Sequence, residues 1–221
     1  MTGSAIITGA GPGVSGSFAR LLAAEGRPVG LLGVDRAQVQ ALADELRAGG
    51  ATVATAYADL TDVDAATAAV QELASGLGGV VDLLHFNPSA FREKDPLELS
   101  VAELLDDIAL GVGALLTVVQ AARPFLREGS RVTVTGSMAA DQPWNRAASL
   151  GVQKAGVRNL VHSLDATLKG DGIRAVSVTV RGSLSREGAF TPDRVAQALR
   201  TALDQPADTW RTEIPYDGTL A

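Results

Sequence analysis

Seven short apolar runs alternate with longer helical stretches from one end of the chain to the other, and this alternation restricts the fold more than any other feature. The runs are Ser4–Thr8, Pro28–Gly33, Thr52–Tyr57, Val81–His85, Arg131–Thr135, Ile173–Val180 and Thr212–Tyr216. Helical stretches begin near Val14, Arg36, Asp62, Leu99, Ala147 and Pro192. Strand–helix repetition of this kind predicts right-handed crossovers and a doubly wound parallel sheet with helices on both faces. Such strands are buried on both sides and read as continuous apolar runs. Only 4% of residues are aromatic against 46% hydrophobic, so the core must be built from Ala, Val, Leu and Ile. No linker, repeat or low-complexity tract divides the sequence, and a length of 221 residues suits one domain, residues 1–221.

Two helices carry their own signals. Phe18, Leu21 and Leu22 follow a glycine-rich loop, and Gly26 then Pro28 stop that helix. Leu150, Lys154, Val157, Leu160, Val161, Leu164 and Leu168 repeat at helical spacing and end at Gly170. A net charge of −6 argues against a general nucleic-acid or anionic-membrane partner. It leaves room for a dinucleotide, because a helix N-terminus holds pyrophosphate with backbone N–H groups. Cysteine is absent, which excludes disulfides and thiolate chemistry. No leader is read at the start, where Met1 leads almost directly into a strand, and no apolar run has the length of a membrane span. A cytoplasmic protein without a metal is expected.

The string Thr8-Gly9-Ala10-Gly11-Pro12-Gly13-Val14-Ser15-Gly16 lies between the first strand and the first helix. Glycine is required there because a side chain would block the turn and the approach of pyrophosphate to the backbone. In this position the loop predicts nucleotide binding. The chain resembles the short-chain dehydrogenase/reductase family, whose loop reads Thr-Gly-x-x-x-Gly-x-Gly. Thr8, Gly9 and Gly13 match, whereas Ser15 stands at the third glycine and Gly16 follows. Gly11, Gly13 and Gly16 also fit Gly-x-Gly-x-x-Gly, so two registers stay open.

The resemblance implies a Rossmann-type sheet in the order 3-2-1-4-5-6-7 and an NAD or NADP cofactor. It places Gly9, Gly11, Gly13, Val14 and Ser15 at the diphosphate, with Gly33 and Val34 near the adenosine ribose. Asp59-Leu60-Thr61-Asp62 matches the family's adenine-side segment, where Asp59 either accepts from the adenine amino group or caps the next helix. Asn87 and Pro88 belong to the segment that is Asn-Asn-Ala-Gly in the family, although only Asn87 matches. Gly33 occupies the acidic position of NAD-preferring relatives, and Val34 the position that is often Arg with NADP. Asp35 and Arg36 are read as a helix cap and a solvated side chain. The vacant acidic position leans the cofactor toward NADP.

Family enzymes use Ser, Tyr and Lys, with an Asn on the preceding helix. Tyr and Lys sit four residues apart and so share one helix face. Here the segment reads Ser149-Leu150-Gly151-Val152-Gln153-Lys154. Lys154 is retained, Ser137 precedes Leu150 by the family's interval, and Leu150 stands in place of tyrosine. The helix asparagine falls at Gly111. Ser137 and Lys154 are therefore the surviving catalytic candidates.

Substitutes for the missing phenol are not evident. Tyr57 and Tyr216 read as packing residues, Ser149 turns away from Lys154, and His85 reads as a core histidine. Asp141, Trp144 and Arg92 read as solvated loop residues at a pocket rim. Val180-Arg181-Gly182 begins a short loop, which implies an open pocket. A bacterial subgroup of the family shares the Gly-Ala-Gly-Pro-Gly loop, Asn87–Ser89, the Ser149–Lys154 pattern and Trp-x-x-Glu at Trp210–Glu213. Two functions are expected from the resemblance: an oxidoreductase acting on a small carbonyl or alcohol, or a non-redox protein on the same scaffold. The latter class includes a lyase, isomerase, cyclase or nucleotide-binding regulator. The family also implies a homodimer or homotetramer, here through the long helices near Leu99–Leu126 and Ala147–Lys169.

Overall fold

In the computed structural model, residues 3–220 are described, so the expected run from Met1 into the first strand lies partly outside them. The seven strands are β1 (Ser4–Thr8), β2 (Val29–Gly33), β3 (Val53–Tyr57), β4 (Val81–Phe86), β5 (Leu126–Ser137), β6 (Arg174–Val180) and β7 (Glu213–Tyr216). The helices are α1 (Val14–Ala24), α2 (Arg36–Ala48), α3 (Val63–Gly76), α4 (Val101–Ile108), α5 (Ala114–Ala122), α6 (Ala148–Leu168) and α7 (Pro192–Thr201). The strands form one parallel sheet in the order β3-β2-β1-β4-β5-β6-β7. Most boundaries fall within a residue or two of the sequence reading.

Strand alternation divides the core between the two faces. Ala5, Ile7, Val29 and Leu31 pack with Phe18, Leu22, Leu42 and Leu199 from α1, α2 and α7. Ile6, Leu32, Leu84 and Val132 pack with Val70, Leu115, Val118 and Val157 from α3, α5 and α6. Small core residues allow this close helix-on-sheet packing.

Two expectations need correction. The helix expected near Leu99–Leu126 is broken: α4 ends at Ile108, and a π-turn over Ala109–Gly113 joins it to α5. Gly111 and Gly113 lie in that turn, and glycine is among the weakest helix formers. β5 starts at Leu126 and runs twelve residues, well before the expected Arg131, because Leu126 pairs with Val81 across a register shift.

After β3 the chain returns to the other side of β1, so strand order reverses between β1 and β4. In open parallel sheets the crevice outside the carboxyl ends at such a reversal is where ligands bind. Thr8, Phe86 and Ser137 end their strands at this edge, and the Asn87 N–H donates to Thr8 O at 3.2 Å.

Candidate active site

The loop from β1 to α1 is held by contacts too close for side chains. Gly9 has φ +72°, and a Cβ there would sit 2.8 Å from the Pro88 ring. A Cβ on Gly16 would lie 2.5 Å from the Gly11 carbonyl oxygen. At Gly13, nothing lies within 4 Å of such an atom. Gly16 therefore serves the internal turn, while Gly13 faces open space. Ser15 does not crowd the helix: it is buried, and its hydroxyl accepts from Gly11 N–H at 3.1 Å.

α1, α5 and α6 start without a side-chain cap, and of the three α1 is the one that follows the glycine loop. Asp35, Asp62, Ser100 and Thr191 cap α2, α3, α4 and α7 through their side chains. Gly13 at the start of α1 provides no side-chain cap, and its first turn holds no acidic residue. Unpaired N–H groups at a helix start, beside a glycine open to the cleft, suit an anionic diphosphate.

A cleft of about 340 Å³ opens on one side of this loop, lined by Gly13, Val14, Asn87, Ser137, Leu150 and Lys154 among others. A second of about 390 Å³ lies on the other side, lined by Gly9, Gly33, Val34, Asp59, Leu60 and Pro88 among others. Ser89 borders both. Two cavities that meet at Ser89, one of them lined by Gly13 and Val14 at the start of α1, suit the two-ended shape of a dinucleotide.

At the adenosine end, Gly33 is dictated by packing. A Cβ there would approach Ala10 O and a Val39 methyl to 2.8 Å each. Asp35 caps α2, accepting from Gln38 N–H at 3.0 Å and from Gln38 Nε2 at 2.9 Å. Arg36 is not simply solvated, because its guanidinium carbon lies 3.9 Å from the Tyr57 ring centroid. The Asp59 carboxylate accepts from Thr61 N–H and the Thr61 hydroxyl, which holds its pKa low. The cap of α3 is Asp62, so the capping role does not fall to Asp59.

At the other end, Lys154 is buried on α6 and donates from Nζ to Thr135 O at 2.9 Å. Burial lowers its pKa to about 8, and among the described residues no carboxylate pairs with it. Ser137 accepts from Ala139 N–H at 3.2 Å and keeps its own proton to donate. Asn87 Oδ1 accepts from the Thr135 hydroxyl at 2.8 Å. Leu150 lines the same cleft as Ser137 and Lys154 with an apolar side chain.

The other candidates lie elsewhere. His85 is fully buried, with Nδ1 2.8 Å from the Thr133 hydroxyl, and burial pushes its pKa down to about 3, leaving it neutral. Tyr57 bonds Gln40, while Tyr216 is buried and bonds Ala189 O. The Ser149 hydroxyl donates to the buried Asp107 at 2.7 Å. Three residues read as solvated are engaged. Arg92 forms two bonds to Asp107, Asp141 pairs with Arg158 at 2.7 Å, and Trp144 stacks on Phe91 with ring centroids 6.4 Å apart.

The short loop after β6 brings Gly182 and the exposed Leu184 to the cleft, and Phe91 faces it from the opposite wall. Phe91 was not anticipated, because a single exposed aromatic in a loop carries no pattern. Asp107 was also missed: its carboxylate joins Arg92 to Ser149 only once the fold brings them together.

A short chain dehydrogenase family model matches residues 4–185, and the chain belongs to that family. Oxidoreductase UcpA of Salmonella typhimurium is 31% identical over 181 residues, 79% of this chain and 67% of its own length. The 3-oxoacyl-[acyl-carrier-protein] reductase FabG of Staphylococcus aureus is 29% identical over 97% of this chain and 84% of its own. A short chain dehydrogenase from Burkholderia cenocepacia, solved in complex with NADP, superposes with a TM-score of 0.89 at 25% identity. That alignment covers 98% of this chain and 96% of the other.

Gly33→Asp, the exchange toward the NAD-type residue, should lower stability by about 1–3 kcal/mol through overpacking and should not create NADH affinity. Urea unfolding and an NADH titration check this; NADH binding gained at unchanged stability would contradict it.

Proposed function

We propose that the chain is an NADP-dependent oxidoreductase that interconverts a small, uncharged carbonyl compound and its alcohol in a site without a tyrosine. The observation that carries this is the isolated, buried Lys154 beside Ser137 in a cleft continuous with the uncapped start of α1. Gly9, Gly11, Gly13, Val14 and Ser15 shape the diphosphate seat, and Asp59, Leu60, Gly33 and Val34 wall the adenosine cavity. Asn87 and Pro88 form the ridge between its two ends.

Bound NADP would supply the hydride for the substrate carbon, or take it up in the oxidative direction. Ser137 orients the substrate oxygen by donating its hydroxyl proton. Lys154, in its ammonium form, donates the proton that balances the developing alkoxide and takes it back in the oxidative direction. Nζ has one protein partner, Thr135 O, and two hydrogens remain for the cleft. Positioned acid–base groups contribute about 10²–10⁴-fold in rate. Apart from Lys154 the cleft lining carries no charge, and Val14, Phe91, Leu150, Val180 and Leu184 surround its polar base. A neutral, largely apolar substrate fits such walls.

NADP is favoured over NAD because Asp35 is committed to its cap, whereas Arg36 has no carboxylate partner among the described residues. A relative solved with NADP agrees in direction. A non-redox role is favoured by Leu150 alone, which cannot carry a proton. Among the described residues no helix is long and apolar enough to cross a membrane, and we keep a cytoplasmic setting as part of the proposal. Self-association is proposed through α5 and α6, where Leu116, Leu160 and Leu164 line an open apolar groove.

By fluorescence titration, NADPH should bind more tightly than NADH, and Arg36→Ala should weaken NADPH about tenfold while leaving NADH nearly unchanged. Equal losses for both cofactors would remove Arg36 from 2′-phosphate recognition.

Lys154 must be protonated to donate, so reductase activity should be full below its pKa and fall as pH rises through about 8, with oxidation showing the opposite trend. The groups around it are the neutral His85, the Thr135 and Ser137 hydroxyls and the Asn87 amide. Leu150→Tyr should raise the rate on simple ketones by about tenfold or more. A protein that binds NADPH yet reduces nothing, with or without Leu150→Tyr, favours the non-redox role.

A further inference from the structure

The amide that the family carries on α4 is missing at Gly111, yet the space is not empty. Gly111 is buried in the π-turn between α4 and α5, and a Cβ there would lie 2.3 Å from Gln153 Oε1. It would also lie 2.8 Å from both Cδ and Cγ of the same side chain. Gln153 comes from α6, one residue before Lys154, and is wholly buried.

Its amide grips one residue by both backbone groups. Oε1 accepts from Ala90 N–H at 2.8 Å, and Nε2 donates to Ala90 O at 3.1 Å. Nε2 also donates to Ser149 O at 3.3 Å. A side-chain amide can satisfy an N–H and a C=O of one residue together, as a neighbouring strand would. Ala90 needs such a partner, because the stretch from Asn87 to Asp95 belongs to no helix or strand. Asn87 is tied to Thr8 and Thr135, so the segment is fixed at its start by β1 and β5 and three residues later by α6.

Ser149, which receives the third bond, is itself anchored through Asp107 to Arg92. Residues 88–90 border the adenosine cavity, and Ser89 also borders the reactive cleft. We propose that Gln153 is a positioning residue whose amide, delivered from α6 into the space left by Gly111, holds residues 88–90 so that the two halves of the cleft stay aligned for one dinucleotide.

This rests on the cleft binding NADP. It adds a reason for one departure from the family pattern: Gly111 is glycine because Gln153 fills its side-chain space. The buried amide also shares its helix with Lys154, so the segment under the cofactor and the proposed proton donor are set by one element.

The test uses Gln153→Met, which keeps the volume and removes all three hydrogen bonds. Hydrogen exchange of the peptide spanning residues 87–92 is read in the ligand-free protein, together with its melting temperature, and NADPH affinity is then titrated. The expected result is exchange at least tenfold faster in that peptide and NADPH binding weaker by about tenfold, with α6 peptides unchanged. Gly111→Ala should destabilise the wild-type chain. Gly111→Ala combined with Gln153→Ala should recover folding without recovering NADPH affinity, which keeps the test readable if Gln153→Met folds poorly. Unchanged exchange and unchanged NADPH affinity in Gln153→Met, in a wild type that binds NADPH, would overturn the clamp alone. A wild type that binds no NADPH would overturn the cofactor assignment and the clamp's purpose with it.

Discussion

Backbone packed directly on backbone organises the cofactor end of this molecule. Gly16 lies against the Gly11 carbonyl, Gly9 against Pro88, and Gly33 against the Ala10 carbonyl, each closer than a Cβ permits. These contacts draw the ends of β1, β2 and β4 together and aim the start of α1 into the crevice where strand order reverses. A diphosphate seat formed by helix N–H groups needs no basic side chain, which is how a chain of net charge −6 can hold a polyanion. The same packing denies Gly33 an acidic side chain, and the proposed function therefore assigns cofactor choice to what lies beyond it, Arg36 on Tyr57.

The reactive end is governed by solvation. An ammonium buried without a carboxylate is destabilised relative to its neutral form, and Lys154 is lowered to about 8 for that reason. In a site with a phenol this would be a supporting property. With Leu150 lining the cleft beside it, the proposed function gives Lys154 the proton transfer, which a pKa of about 8 suits near neutral pH. The buried His85 cannot share that role, since its pKa of about 3 leaves it without a proton to give.

Much of this was legible in the residues. Apolar runs located all seven strands, because parallel strands are buried on both faces, and glycine with proline marked where α1 stops. Ser137 and Lys154 were singled out by the family resemblance, and the fold brings both to the lining of one cleft. The failures share a cause. The two-bond grip of Gln153 on Ala90 and the Arg92–Asp107–Ser149 chain each join segments far apart in sequence. Gly111 could be read only as an absence until Gln153 was seen filling its place. Ser15, at the family's third glycine, closes the loop on Gly11 through its hydroxyl, a contact the sequence alone does not display.

The central claim is that one continuous cleft seats a dinucleotide with its reactive end beside Lys154 and no phenol. A crystal structure grown with NADPH tests this most directly. The account predicts diphosphate density at the N–H groups of Gly13–Ser15, the adenosine between Gly33 and Leu60, and the nicotinamide next to Ser137, Leu150 and Lys154. A cofactor bound elsewhere, a cradle that stays closed by its own side chains at saturating NADPH, or a tyrosine brought beside Lys154 by a second copy of the chain would contradict it.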